Sequence, residues 1–259
     1  MNQINKRYYA LNYQDLNAKT LDRWVAEGWE WGIPIDHQTY LDAVDGQWDV
    51  VLTPTKPVPH SWFGRLKGKK VLGLASGGGQ QMPIFAALGA DCTVLDYSES
   101  QLESERLVAQ REGYAIDIVR GDMTNPLPFA DESFDLIFHP VSNCYVEKVE
   151  PIFVECYRML KHGGVLLCGL GNEVNYLVNE DETVICNTMP FNPLVNEAQR
   201  LQLEQVDCGM QFSHTAEEQL GGQLKAGFVL THLYGDTNGE GRLHEMGIET
   251  YYATRAVKP

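Results

Sequence analysis

Short apolar runs of β type alternate with longer helical patterns from Lys70 to the end of the chain. This alternation predicts a mainly parallel sheet with helices on both faces, because parallel strands are joined by long crossovers that are usually helical. The seven predicted strands span residues 71–74, 92–95, 116–119, 134–138, 165–168, 228–234 and 250–256. The sequence therefore favours the α/β class.

The ends of the predicted helices are marked by capping sequences. Ser98 with Gln101, and Thr215 with Glu218, have the S/T-x-x-E/Q spacing of a capping box, in which each residue satisfies a backbone N–H of the other. Apolar residues recur every three or four positions over 149–160, which predicts a helix that ends at the glycine pair beginning with Gly163.

Two segments interrupt the alternation. Residues 1–65 contain all the tryptophans and end in a Pro-rich stretch, so we predict an N-terminal helical cap, with the main domain over 66–259. Residues 172–213 lack clear periodicity and are too long for a simple connection. We expect them to form a small insertion at the edge of the active site.

Charge and composition narrow the range of partners. Thirty-five acidic against 20 basic residues give a formal net charge of −15, and no strong basic cluster offsets it, which argues against nucleic acid. No apolar stretch suits a membrane span or a secretion signal, so we expect a cytoplasmic protein. The cysteines are dispersed without zinc-site spacing, so we expect no metal. The oligomeric state is left open.

A glycine-rich loop follows the first strand, from Ala75 to Gln81. It brings bare backbone to the carboxyl end of the sheet, where α/β proteins bind nucleotides. Asp96, at the end of the second strand, has the position of a residue that accepts hydrogen bonds from both ribose hydroxyls. The alternative is a tight connection between strand and helix with no ligand.

The dinucleotide fingerprint G-x-G-x-x-G fails in this loop. Starting at Gly77, its third glycine would be Met82, and starting at Gly73, its second would be Ala75. A pyrophosphate site is therefore disfavoured, and an NAD-dependent oxidoreductase is the weaker alternative.

Three further blocks follow in order: Gly121-Asp-Met123, Phe134-Asp-Leu-Ile137 and Arg158-Met-Leu-Lys-x-Gly-Gly164. With the glycine loop, this set resembles the class I S-adenosylmethionine-dependent methyltransferases over about residues 60–170. The resemblance implies a Rossmann-like sheet of seven strands, S-adenosylmethionine as cofactor and a small-molecule methyl acceptor. The segments 74–81 and 139–145 look like a bacterial subset of the methyltransferase-11 type, whose substrate is unknown.

By this resemblance, the loop contacts the methionine part of the cofactor, Asp96 holds the ribose, and Asp122 with the backbone of Met123 meets the adenine. The predicted cofactor residues are Ala75, Ser76, Gly77, Gly79, Gln80, Gln81, Asp96, Asp122 and Met123.

The loop departs from the family pattern at two positions. Gly73 stands where the family has an acidic residue, and Ala75 stands where it has its first glycine. The usual contact to the cofactor ammonium is therefore missing. We predict that Gln80 or Gln81 replaces it through a side-chain amide oxygen.

The segment after the fourth strand is the predicted site of catalysis, with His139, Asn143 and Tyr145 as candidates. His139 has the chemistry of a general base, but a structural role in the turn before Pro140 is the favoured interpretation. Cys144 is predicted to be a packing residue. His214, before a helix start, is a secondary candidate.

The N-terminal aromatic residues are expected mainly in the core, with one or two lining the pocket and excluding water from it. They are Tyr8, Tyr9, Tyr13, Trp24, Trp29 and Trp31. A non-catalytic protein that binds S-adenosylmethionine or S-adenosylhomocysteine as a sensor is a further alternative.

Overall fold

The computed structural model describes residues 12–259, so Tyr8 and Tyr9 lie outside the described residues. The seven strands are β1 (Lys70–Leu74), β2 (Asp91–Asp96), β3 (Ile116–Arg120), β4 (Phe134–His139), β5 (Leu160–Gly171), β6 (Val229–Asp236) and β7 (Tyr251–Val257). They form one sheet in the order β3-β2-β1-β4-β5-β7-β6. β1 to β5 pair in parallel, and β7 is antiparallel to both of its neighbours. The predicted seven-stranded, mainly parallel fold is confirmed.

The helices lie between the strands and before β1. They are α1 (Tyr13–Ala26), α2 (His37–Val44), α3 (Gln81–Ala87), α4 (Glu99–Glu112), α5 (Glu150–Met159), α6 (Val174–Leu177), α7 (Glu197–Val206), α8 (Gly222–Ala226) and α9 (Gly241–Glu245). Single 3-10 turns cover Glu30–Gly32, His60–Trp62 and Asn143–Tyr145, and a π-helical turn at Glu217–Gly221 leads into α8. Among residues 12–259, no helix is long and apolar enough to cross a membrane.

Side chains that alternate along the buried strands build one apolar core on each face of the sheet. Leu72 and Leu74 of β1 pack into the core that contains Phe153 of α5. Val71 packs on the other face, with Trp62 and the residues of α3. Burying each such side chain is worth about 1.5–3 kcal/mol, so both faces hold the sheet in place.

The predicted end of α5 at Gly163 is wrong, because α5 ends at Met159 and Leu160 already belongs to β5. Leu160 pairs with Phe134, and an irregularity in the register follows it. Its carbonyl accepts a hydrogen bond from the buried Nζ of Lys258, at 2.7 Å. Pairing with the sheet therefore overrides the helical pattern of the sequence.

The two capping boxes differ in completeness. Thr215 and Glu218 form both hydrogen bonds, as predicted. In the other box Ser98 Oγ accepts from Gln101 N, but the N–H of Ser98 donates to Asp96 Oδ1 at 3.0 Å. The side chain of Gln101 therefore takes no part in this cap.

Asn17 of α1 joins three distant parts of the chain. Its side chain is only 5% exposed and donates to the carbonyl oxygens of Tyr145 (3.0 Å) and Met210 (2.9 Å). It also accepts from the N–H of Met210 at 2.7 Å. A third apolar cluster surrounds this junction and consists of Leu16, Phe191, Leu203, Met210 and Phe212. The domain boundary near residue 65 and the insertion over 172–213 stay predictions.

Replacing Asn17 with Ala leaves the N–H of Met210 and two buried carbonyl groups without partners. We expect the free energy of unfolding to fall by about 2–4 kcal/mol, since each unsatisfied buried polar group costs about 1–3 kcal/mol. Urea unfolding of the variant measures this. Gln110→Ala, an exposed position on α4, is the control and should change stability by less than about 0.5 kcal/mol. An equal effect of both variants would contradict the role of Asn17.

Candidate active site

A cavity of about 540 Å³ lies at the carboxyl ends of β1 to β5, under α1 and the 3-10 turn Glu30–Gly32. Most of the predicted residues line it: Ala75, Ser76, Gly77, Gln80, Gln81, Asp96, Asp122, Met123 and Tyr145. Gly79, His139 and Asn143 do not. The parallel strands therefore bring most of the predicted site together at one edge of the sheet.

The glycine loop packs against the start of α4. The N–H of Gly77 donates to Asp96 Oδ2 at 3.0 Å, and a Cβ at this position would lie 2.7 Å from that of Gln101. Ala75 has a φ of 48°, a left-handed conformation that costs an alanine about 1–2 kcal/mol. The surrounding structure holds Ala75 in this strained conformation, and such strain is common at functional sites.

The absence of an acidic residue at position 73 has a steric explanation. A Cβ added at Gly73 would lie 2.8 Å from Sδ and 2.9 Å from Cε of Met82, which is fully buried. An acidic side chain therefore has no room at this position while Met82 keeps its place.

Gly79 supports the loop from behind. Its N–H donates to Glu105 Oε1 at 2.8 Å, and a Cβ there would lie 2.9 Å from both Pro34 Cβ and the carbonyl oxygen of Ser104. Glu105 is fully buried, and its Oε2 has no hydrogen-bond partner among residues 12–259. Burial raises the pKa of Glu105 to about 8, so this carboxyl group is mainly neutral at pH 7.

Asp96 is 8% exposed and already accepts two backbone hydrogen bonds, one on each carboxylate oxygen. Burial raises its pKa from the ordinary value. Each oxygen keeps a lone pair for a further donor, as binding of a ribose diol requires.

The sequence pattern assigns Gln101 only to a helix cap, but Gln101 lines the cavity beside Asp96. It is 6% exposed, and its Oε1 has no partner among the residues described. The available signal is its place in the first turn of α4, five residues after Asp96.

The side-chain amides of Gln80 and Gln81 lie in the wall of the cavity. Gln80 Nε2 donates to the carbonyl oxygens of Glu30 (2.8 Å) and Ile33 (2.9 Å). Gln81 Oε1 accepts from Ser76 Oγ at 3.0 Å. Both amide oxygens have a lone pair available, and the hydrogen bonds of Gln80 tie this wall to the tryptophan-rich turn above it.

The turn after β3 is held by hydrogen bonds to the side chain of Asp122. Asp122 accepts from the N–H of Thr124 at 2.8 Å and from Asn125 Nδ2 at 3.1 Å. Met123 follows it in the same wall and is nearly buried.

His139 is completely buried, with Nδ1 2.8 Å from the carbonyl oxygen of Leu74 and Nε2 2.8 Å from the side-chain amide of Asn143. Burial lowers the pKa of His139, which favours the neutral imidazole. The atom of Asn143 nearest Nε2 is the amide oxygen Oδ1, so each ring nitrogen faces an oxygen, and a neutral imidazole, which has one N–H, donates to only one of the two. These contacts favour the structural role over the general base.

The segment after β4 is held in place by hydrogen bonds that its backbone carbonyl groups accept from other parts of the chain. His214 Nε2 lies 3.0 Å from the carbonyl oxygen of Asn143 and 2.9 Å from that of Val146. The carbonyl of Cys144 accepts from Phe212 N, and that of Tyr145 accepts from Asn17, as described above. Four successive carbonyls are thus fixed by other elements, and His214 is occupied by this task.

The remaining candidates near the cavity are uncharged. Burial raises the pKa of Cys144 to about 12 and raises the pKa of Tyr145 well above its ordinary value. Trp24, Trp29 and Trp31 line the cavity, whereas Tyr13 packs edge-on against Phe212. Within residues 12–259, no group of three His, Cys, Asp or Glu side chains is placed to hold a metal ion.

Comparisons with known proteins agree with this geometry. Residues 72–168 match the family model described as a methyltransferase domain. The uncharacterized methyltransferase YbaJ of Bacillus subtilis (strain 168) is 42% identical over 93% of this chain and 97% of its own. Demethylmenaquinone methyltransferase of Renibacterium salmoninarum is 35% identical over 40% of this chain and 42% of its own. An S-adenosylmethionine-dependent methyltransferase from Mesorhizobium loti superimposes with a TM-score of 0.60 at 19% identity, covering 76% of this chain and 94% of the other.

Asp96→Asn keeps one acceptor oxygen for the loop but removes the charge that would bind the ribose. We expect S-adenosylhomocysteine to bind about 10- to 100-fold more weakly, because hydrogen bonds to a charged group contribute about 1.5–3 kcal/mol. Isothermal titration measures the change. Asp117→Asn, exposed on β3, is the control. Normal affinity of Asp96→Asn would reduce Asp96 to a structural residue.

Glu105→Gln keeps an oxygen for the N–H of Gly79 but cannot ionise. The pKa of Glu105 is about 8 in the folded protein against an ordinary 4.5, so its stabilising contribution is full below about pH 4.5. It is lost as the pH rises towards 8. We therefore expect the free energy of unfolding to fall more steeply between about pH 5 and pH 9 in the wild type than in Glu105→Gln.

Urea unfolding across this pH range is the measurement. Glu103→Gln, exposed on the same helix, should follow the wild type. Parallel profiles of wild type and Glu105→Gln would show that Glu105 does not titrate in this range.

Proposed function

The chain belongs to the class I S-adenosylmethionine-dependent methyltransferases, and from this premise we propose that its methyl acceptor is a small molecule. The observation that carries the proposal is the partly closed cavity of about 540 Å³ under α1 and the tryptophans. Cofactor and acceptor must share this volume, which is typical of small-molecule sites. The volume left beside the cofactor suits a small acceptor better than a macromolecule.

The residues of the cofactor half are suited to S-adenosylmethionine. The backbone of Ala75, Ser76 and Gly77 would lie along the methionine part, and the amide oxygens of Gln80 and Gln81 are acceptors for its ammonium group. Asp96 accepts from the ribose hydroxyls, and Asp122 with Met123 borders the adenine.

The amide oxygen Oε1 of Gln101 supports this assignment, because it is buried without a partner among the described residues and a ribose hydroxyl would be a suitable donor to it. We therefore add Gln101 to the residues that bind the ribose.

When bound, S-adenosylmethionine supplies a methyl carbon that an acceptor lone pair attacks while the carbon–sulfur bond breaks with both electrons on sulfur. The protein's task is alignment and exclusion of water. The rigid carbonyls of residues 143–146 hold Tyr145 in the wall, and Trp24, Trp29 and Trp31 cover the cavity. Asn143 acts through His139 and lies behind this wall.

Isothermal titration with S-adenosylhomocysteine and with NAD tests the cofactor. We expect saturable binding of S-adenosylhomocysteine and none of NAD. Transfer of a labelled methyl group to components of a small-molecule extract, and not to proteins or nucleic acids in a matched extract, tests the acceptor class. Label found only in macromolecules would contradict the proposal.

His139→Gln tests how the acceptor is activated. If His139 only orders the segment, turnover falls modestly and to the same extent at every pH, because the ring then takes no proton from the acceptor; burial lowers its pKa and favours the neutral form. Loss of about 10²- to 10⁴-fold, with an acid limb present only in the wild type, would instead identify a general base. Rates of methyl transfer against pH, with S-adenosylhomocysteine affinity as the control, separate the two outcomes.

A further inference from the structure

The half of the cavity that faces β4 and β5 is lined by neutral polar groups. Tyr145, Tyr176 and Tyr251 contribute three aromatic rings, and Asn175 and Gln211 contribute two amides. Burial raises the pKa of Tyr145 and Tyr176 well above the ordinary value and that of Tyr251 to about 12, so these phenols are neutral at pH 7. An acceptor carrying a carboxylate or phosphate would lose hydration here without a basic side chain to replace it.

A second cavity of about 530 Å³ adjoins this half and shares part of its wall, namely Trp31, Pro54, Asn238 and Tyr251. We call it the vestibule. Its charged side chains are Glu30, Glu180, Asp181, Glu182 and Glu240, with Arg242 as the one base among the described residues. No ion pair within residues 12–259 neutralises any of these carboxylates.

The vestibule favours cations, and the neutral half of the cavity disfavours anions. A recess lined by carboxylates raises the local concentration of cations and repels anions, and the overall charge of −15 acts in the same direction. Trp31 and Tyr251 line both the cavity and the vestibule, and aromatic rings attract cations that lie over their faces.

We propose that the methyl acceptor is a small organic cation, with its positive charge in the vestibule and a neutral nucleophilic atom among the tyrosines of the cavity. This inference rests on the proposed function. Such a molecule keeps its own charge away from the sulfonium, so the two cations do not oppose each other at the reacting carbon. The acceptor atom gains the methyl group through its lone pair, and any proton that it then releases passes to water.

The first experiment identifies the charge of the acceptor. After S-adenosylhomocysteine binding has been measured, the full chain is given methyl-labelled S-adenosylmethionine with a bacterial small-molecule extract separated on cation and anion exchangers. We expect labelled product from the fraction that the cation exchanger retains. Label from the anionic or uncharged fractions alone overturns the inference.

The second experiment tests the vestibule. In the variant Glu180→Gln/Asp181→Asn/Glu240→Gln, we expect label transfer from the cationic fraction at limiting dilution to fall about tenfold at low ionic strength, and less at high salt. The control Asp45→Asn/Asp91→Asn/Asp117→Asn removes the same charge from exposed positions outside both cavities. Equal rates in the two triple variants would contradict a role of the vestibule.

The outcomes distinguish the two proposals. Failure of S-adenosylhomocysteine to bind, or label found only in macromolecules, contradicts the proposed function itself. Normal cofactor binding with label in anionic small molecules contradicts only the inference about charge.

Discussion

The active site depends on the hydrogen bonds that fix the segment after β4. Asn17 from α1, with Phe212 and His214 from the chain that leads into α8, satisfies four successive carbonyl groups there. A buried carbonyl without a partner is costly, so these bonds set the position of the segment strongly. The wall that carries Tyr145 is therefore made by three separate parts of the chain. The cofactor half is simpler, because consecutive strand ends and the glycine loop supply it.

This difference explains what the sequence could predict. The seven strands, the glycine loop and Asp96 have local signals, namely apolar runs, glycines and a strand end, and the parallel topology then brings them together. The end of α5 was wrong because Leu160 pairs with a distant strand, which no local pattern records.

The surroundings of His139 likewise depend on contacts outside its own segment. Its ring lies at hydrogen-bond distance from the carbonyl of Leu74, on a neighbouring strand 65 positions away in the sequence. The local sequence around His139 cannot predict this partner. The sequence does not reveal that Gln101 lines the cavity, because a helix cap already accounts for a glutamine at this position. In the structure, the N–H of Ser98 that would complete the capping box donates to Asp96 instead.

The junction at Asn17 also has a consequence for how the protein folds. Its hydrogen bonds span 128 and 193 positions of sequence, whereas β1 to β4 lie within 70 residues of one another. Contacts of such long range are made late, because a long loop must close first. During synthesis, a chain that has emerged only as far as β4 already contains the glycine loop and Asp96. The wall that carries Tyr145 cannot be completed until residue 210 has also been made. We therefore expect the cofactor end of the site to form earlier in folding than the end that binds the acceptor.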